Sequence, residues 1–136
     1  MIILAVDPGQ KRIGIAITDP SGKVALPLTI LEHISRHDDA QRIVQIAVEN
    51  NVSLIIIGQA LDSDNMPTLQ SRRSENLAKS VRALTSIPVE LWEEFESSQV
   101  IKNLQAKSSP KHKARRKAID DLAAVVILQN YLESHA

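Results

Sequence analysis

The 136-residue chain has no cysteine, which removes disulfides and thiolate metal sites and suits a reducing compartment, so a cytoplasmic address is expected. Aromatic residues make up only 2% of it, with one Trp, one Tyr and one Phe. The core must therefore be built from Val, Ile, Leu and Ala, and base-stacking platforms of the kind used by aromatic RNA readers are not expected. Charge of neither sign dominates: sixteen Lys and Arg face sixteen Asp and Glu. Any nucleic-acid surface must then come from local segregation of charge. Long hydrophobic runs are missing as well. The apolar stretch Ile2 to Val6 is far shorter than a signal-peptide core or a bilayer span, and no basic residue precedes it, so no membrane role is expected.

What is present fits one domain over residues 1–136. Ile2 to Val6 is a continuous apolar run, as in a strand covered on both faces, and Ile13 to Thr18 is a second β-rich segment. Pro8-Gly9-Gln10-Lys11 between them reads as a turn, and Asp19-Pro20-Ser21-Gly22 as another, leading into a third strand, Lys23 to Leu26. The period then changes. Ile43, Ile46 and Ala47 share one face of a helix beginning near Asp38, a plausible cap, followed by a strand over Ser53 to Ile57. A polar loop, Gln59 to Thr68, leads to a helix bearing Leu77, Val81 and Leu84; then come a strand, Val89 to Glu94, and a short helix capped by Ser97. Residues 107–117 read KSSPKHKARRK, six cations without an acid, and are expected as part of a basic flexible loop at about 105–117. Ala118 to Glu133 closes the chain as a strong helix. The order β-β-β-α-β-α-β-α predicts an α/β fold: a mixed sheet with helices on both faces.

Three acids stand at element ends: Asp7 after the first strand, Glu94 after the last, and Asp120 in the opening of the final helix. Ala123, Ala124 and Ile127, at helical spacing from Asp120, put it on an inward face. Gathered carboxylates raise one another's pKa unless a cation neutralises them, and Mg²⁺ or Mn²⁺ with open coordination positions would do so. Two such ions, about 3.5 to 4 Å apart, stabilise the attacking water and the leaving oxygen in phosphodiester hydrolysis. Each acid also has an ordinary role when taken alone. Asp7 before Pro-Gly can start a turn, Glu93, Glu94 and Glu96 can be solvated charges, and Asp120 with Asp121 can favour a helix N-terminus. The basic segment lies just before Asp120, where a polyanion would enter, and its contacts would be to phosphates. The four histidines show no metal-ligand spacing.

The stretch AVDPGQKRIGIAITD resembles the opening motif of the YqgF/RuvX family, Asp-x-Gly-x-Lys-Arg-Ile-Gly-x-Ala, within the RNase H-like superfamily of nucleases and resolvases. The resemblance continues through LIIIGQALDSD, WEEFESSQV and AIDDLAAVVILQNYLE, so it spans nearly the whole chain in order. It implies an RNase H-like fold with a five-stranded mixed sheet, three antiparallel strands followed by two parallel ones. It carries the family's acidic positions to Asp7, Glu94 and Asp120, as catalytic residues and as ligands of two Mg²⁺ or Mn²⁺ ions. Gly9 and Gly14 match too, and a glycine beside the first acid, which tolerates left-handed backbone, permits close backbone approach to metal or phosphate. Nucleic-acid contacts are expected from Lys11, Arg12, Lys107, Lys111, Lys113, Arg115, Arg116 and Lys117.

The expected partners are precursor ribosomal RNA, matured at the 5′ end of 16S, or branched or single-stranded DNA such as a Holliday junction, acted on by a monomer or homodimer. The chain departs from the family at Glu93-Glu94-Phe95-Glu96-Ser97-Ser98, where the usual Arg-Leu is replaced by Phe95-Glu96, leaving Glu93 or Glu96 as a fallback ligand. Gly58-Gln59-Ala60-Leu61-Asp62 departs likewise from the usual Gly-Leu-Pro-Leu-Asn. A non-catalytic nucleic-acid-binding or ribosome-assembly module is the alternative. The similar Asp-x-Gly phosphate motif of sugar kinases, actin and chaperone ATPases needs two large lobes, for which this chain is too short.

Overall fold

A computed structural model of the chain describes residues 1–59, 69–93 and 112–135, and their side chains except at 69–71, 93 and 112–122. Five strands form one sheet: β1 (Ile3–Pro8), β2 (Arg12–Thr18), β3 (Ala25–Glu32), β4 (Leu54–Gln59) and β5 (Val89–Glu93), in the order β3-β2-β1-β4-β5. β1 pairs antiparallel with β2 and parallel with β4; β2 pairs antiparallel with β3, and β4 parallel with β5. The expected division into three antiparallel and two parallel strands is met.

Three described helices cover the sheet: α1 (Arg36–Glu49), α2 (Leu69–Leu84) and α3 (His112–Ser134). Ala40, Ile43 and Ala47 of α1 and Leu77, Ala78 and Val81 of α2 pack with Leu4, Val6, Ile55 and Ile57. Ala124, Ile127, Leu128 and Tyr131 of α3 pack with Ile3, Ala5, Leu54 and Ile56. The two clusters take alternate residues of β1 and β4, as the two-residue period of a strand requires. That is why both strands read as unbroken apolar runs. With aromatics scarce, burial of Ile and Leu supplies the core, about 1.5–3 kcal/mol for each fully buried side chain.

Several boundaries differ from those expected. α1 starts after Ser35, whose side chain accepts the Asp38 N–H at 3.1 Å; Asp38 lies within the first turn instead of capping it. At the other end, Asn51 takes a left-handed φ of 55°, and the Val52 N–H reaches the Ala47 carbonyl at 3.0 Å. Together with the Asn51 N–H on the Val48 carbonyl, this closes the helix and feeds the chain straight into β4. β3 spans Ala25–Glu32 rather than ending at Leu26. It is an edge strand holding Pro27, with Leu26 and Leu28 exposed, so it shows little core-facing alternation. The turn before it closes on Asp19, which accepts the Ser21 hydroxyl at 2.7 Å and the Lys23 and Val24 N–H groups; these bonds, the hydroxyl first, hold its pKa below the usual carboxylate value.

α3 begins at His112, so residues 112–117 continue the helix and do not form the expected loop. Ala, Arg and Lys are good helix formers, and a charge run does not stop a helix that packing extends from its other end. The expected loop over residues 60–68 and the expected helix after Ser97 lie outside the described residues.

Candidate active site at the carboxyl edge of the sheet

Because Ile3 and Ala5 face α3 while Leu4 and Val6 face α1 and α2, alternation puts Asp7 on the α3 face and Pro8 on the other. Asp7 is half-buried at the carboxyl end of the strand. Its partner across the antiparallel pair is Gly14. On the parallel side the register Val6 to Ile57, carried one step further, brings Gly58 alongside. Both glycines are buried. Side chains on neighbouring strands stand about 4.5–5.5 Å apart at their Cβ atoms, and glycine at position 14 sets no side chain beside the carboxylate from β2.

The β1–β2 turn beside Asp7 is tight. The Gly9 N–H donates to the Arg12 carbonyl at 2.9 Å, and a Cβ at Gly9 would lie 2.4 Å from that same oxygen. Gly9 is thus required by close approach. Among the described glycines a positive φ occurs at Gly22, at 75°. Lys11 in the turn and Arg12 at the start of β2 are exposed, which sets two of the expected cations at the same edge as Asp7.

α3 runs antiparallel to β1. Tyr131, near its end, shares a core cluster with Ile3, at the start of β1, and its ring meets Trp92 edge-on at 5.2 Å between centroids. Burial, and then the Glu90 carboxylate, raises the Tyr131 pKa above its ordinary value. From Tyr131 the helix backbone climbs towards the carboxyl edge. At about 1.5 Å per residue, Asp120 lies roughly 16 Å along the axis; Asp7 lies about 13 Å along β1 from Ile3. The Asp120 side chain is outside the description, as are those of Lys113, Arg115, Arg116 and Lys117, whose backbone forms the first turns of α3. Glu94 follows the last residue of β5 in sequence and lies outside the described residues, as do Glu96, Lys107 and Lys111. Among the described residues no group of three or more His, Asp or Glu side chains is placed to hold a metal.

The sequence reading passed over a charged cluster on the opposite face. Asp39 of α1 is 2% exposed. It accepts from Arg42 Nη2 at 2.6 Å and from the Ile34 N–H at 3.1 Å, and it also meets His33 Nδ1. The signal for it was an acid in the first helical turn followed three residues later by Arg42, a spacing that also suits a solvated pair.

The family model described as RuvX, Holliday junction resolvase, matches residues 1–134. A relative from Thermoanaerobacter pseudethanolicus, named "Putative pre-16S rRNA nuclease", is 36% identical over 135 residues, covering 98% of this chain and 97% of its own. A relative of the same name from Desulforudis audaxviator is 31% identical over 134 residues, covering 98% and 95%. Among solved structures, T. thermophilus RuvC in complex with a Holliday junction substrate superposes with a TM-score of 0.58 at 11% identity, over 99% of this chain and 95% of that one. The fowlpox virus resolvase in complex with Holliday junction DNA gives 0.56 at 18% identity, over 98% of each. At such identities these two likenesses show the fold, which is RNase H-like. No helix among the described residues is long and apolar enough to cross a membrane.

Proposed function

Since the chain belongs to the RuvX family of nucleases, we propose that it hydrolyses phosphodiester bonds at the carboxyl edge of its sheet, with Asp7, Glu94 and Asp120 holding two Mg²⁺ or Mn²⁺ ions. The observation that carries this reading is the setting of Asp7: a carboxylate at a strand end, on the α3 face, paired across the sheet with Gly14. A hard oxygen donor at the end of a strand suits Mg²⁺ or Mn²⁺, which bind carboxylates and keep positions for water and phosphate oxygen. When bound, the ions polarise the phosphate and lower the pKa of the water that attacks it. The axial levels of Asp7 and of the Asp120 backbone agree to within about one helical turn, which supports their acting together.

The remaining residues position the substrate. Lys11 and Arg12, exposed beside Asp7, neutralise backbone phosphates, and the cations at the start of α3, with Lys107 and Lys111, extend that field. Contacts of this kind bring affinity and register without choosing a base sequence. The substrate in this reading is structured nucleic acid: the precursor of 16S rRNA named for the relatives, or a branched DNA such as the family's Holliday junction. Replacing Asp7 with Asn keeps the shape and removes the charge. Cleavage of a labelled precursor RNA or a four-way junction in Mg²⁺ or Mn²⁺ then falls by at least about 100-fold, the upper range for losing a group one shell further from a metal. Asp7→Asn protein that folds normally and cuts as fast as the unaltered chain would refute the assignment.

A further inference from the structure

On the face of the sheet away from Asp7, α1, α2 and the β1–β2 turn enclose an open cavity of about 360 Å³. His33, Arg36, Arg72 and Arg73 line it, with Pro8 and Gly9 as its wall on the sheet side. Asp39 also borders the space, but Arg42, the Ile34 N–H and His33 already engage it. That leaves three guanidinium groups with no acid assigned to them among the described contacts. Arg73 is half-buried; its Nη1 is shut off from solvent without an acceptor among the described residues, so it is the rest of the side chain that borders the space. Guanidinium groups gathered around one open cavity attract an anion, and a guanidinium fork is shaped for the paired oxygens of a phosphate.

We propose that this cavity binds a phosphate group of the nucleic-acid strand next to the one cut at Asp7. The inference rests on the nuclease reading for what the strand is doing there, while the cavity itself stands on separate residues. Asp7 and Pro8 are consecutive and face opposite sides of the sheet, so the two sites lie back to back across one strand end. A strand crossing that edge meets Asp7 on one side and the arginines on the other. The Gly9 turn, held tight against Arg12, is the ridge between them. No base-reading group is needed, so binding is indifferent to sequence.

The test uses full-length protein carrying Asp7→Asn, so that binding is read without turnover. Anisotropy of a labelled single-stranded oligonucleotide gives the affinity as a function of salt. Adding Arg73→Gln weakens binding about tenfold and lowers the salt slope by about 0.7 for the lost phosphate contact, alike on different sequences, whereas Lys79→Gln, on the exposed side of α2, leaves both unchanged. In parallel, inorganic phosphate shifts the amide resonances of Gly9 and Asn76 in the parent and leaves them unmoved in the Arg73→Gln protein. Arg73→Gln behaving like Lys79→Gln in both measurements overturns the site. Phosphate shifts with an unchanged oligonucleotide affinity overturn the strand assignment and make the ligand a free phosphate. Failure of the nuclease reading shows separately, as undiminished cleavage by Asp7→Asn.

Discussion

A methyl group on Gly9 would collide with the Arg12 carbonyl oxygen, which lies 2.4 Å from where its Cβ would sit. Because that oxygen also accepts the Gly9 N–H, it cannot retreat without opening the turn. Gly9→Ala therefore destabilises the fold by about 1–3 kcal/mol, read as an earlier urea midpoint with an unchanged slope. A midpoint within error of the parent would show that the turn yields freely. In the sequence, Asp7 stood out because it ends an apolar run without reason of its own. The glycine beside it was not legible as a neighbour: Gly14 meets Asp7 only through strand register. The same holds for His33, Arg36, Arg72 and Arg73, which are widely separated in sequence and share a cavity only after α1 and α2 have packed.

Among the elements, β1, β2 and β4 could be read directly, since strands buried on both faces show as continuous apolar segments. β3 could not be read to its full length, because an exposed edge strand has no such pattern. The helix start at Ser35 was hidden by three competing cap formers within five residues, Ser35, Asp38 and Asp39. Their roles differ: Ser35 caps, Asp38 supplies the N–H that the cap receives, and Asp39 turns back to the Ile34 N–H. Ser35→Ala removes the cap and costs about 1 kcal/mol of stability by denaturant unfolding. If it costs nothing, Asp39 alone suffices to fix the entry of the helix. For α3, the sequence pattern located the apolar half around Ala123 to Leu132, while composition misdirected the reading of its first turns.

For the molecule as a whole, the sheet order places the carboxyl ends of β1, β4 and β5 on one edge, and β1 and β4 are parallel neighbours there. α3, running antiparallel to β1, brings its amino-terminal half to that same edge. A chain with no net charge can thus gather its cations locally, at the β1–β2 turn, at the start of α3 and in the cavity behind them. The central claim is that this edge holds divalent metal through Asp7. Anomalous diffraction from crystals grown with Mn²⁺ tests it most directly. Two manganese peaks within ligand distance of the Asp7 carboxylate, bounded by Glu94 and Asp120, are the predicted result; manganese absent from Asp7, or bound only at other acids, would contradict it.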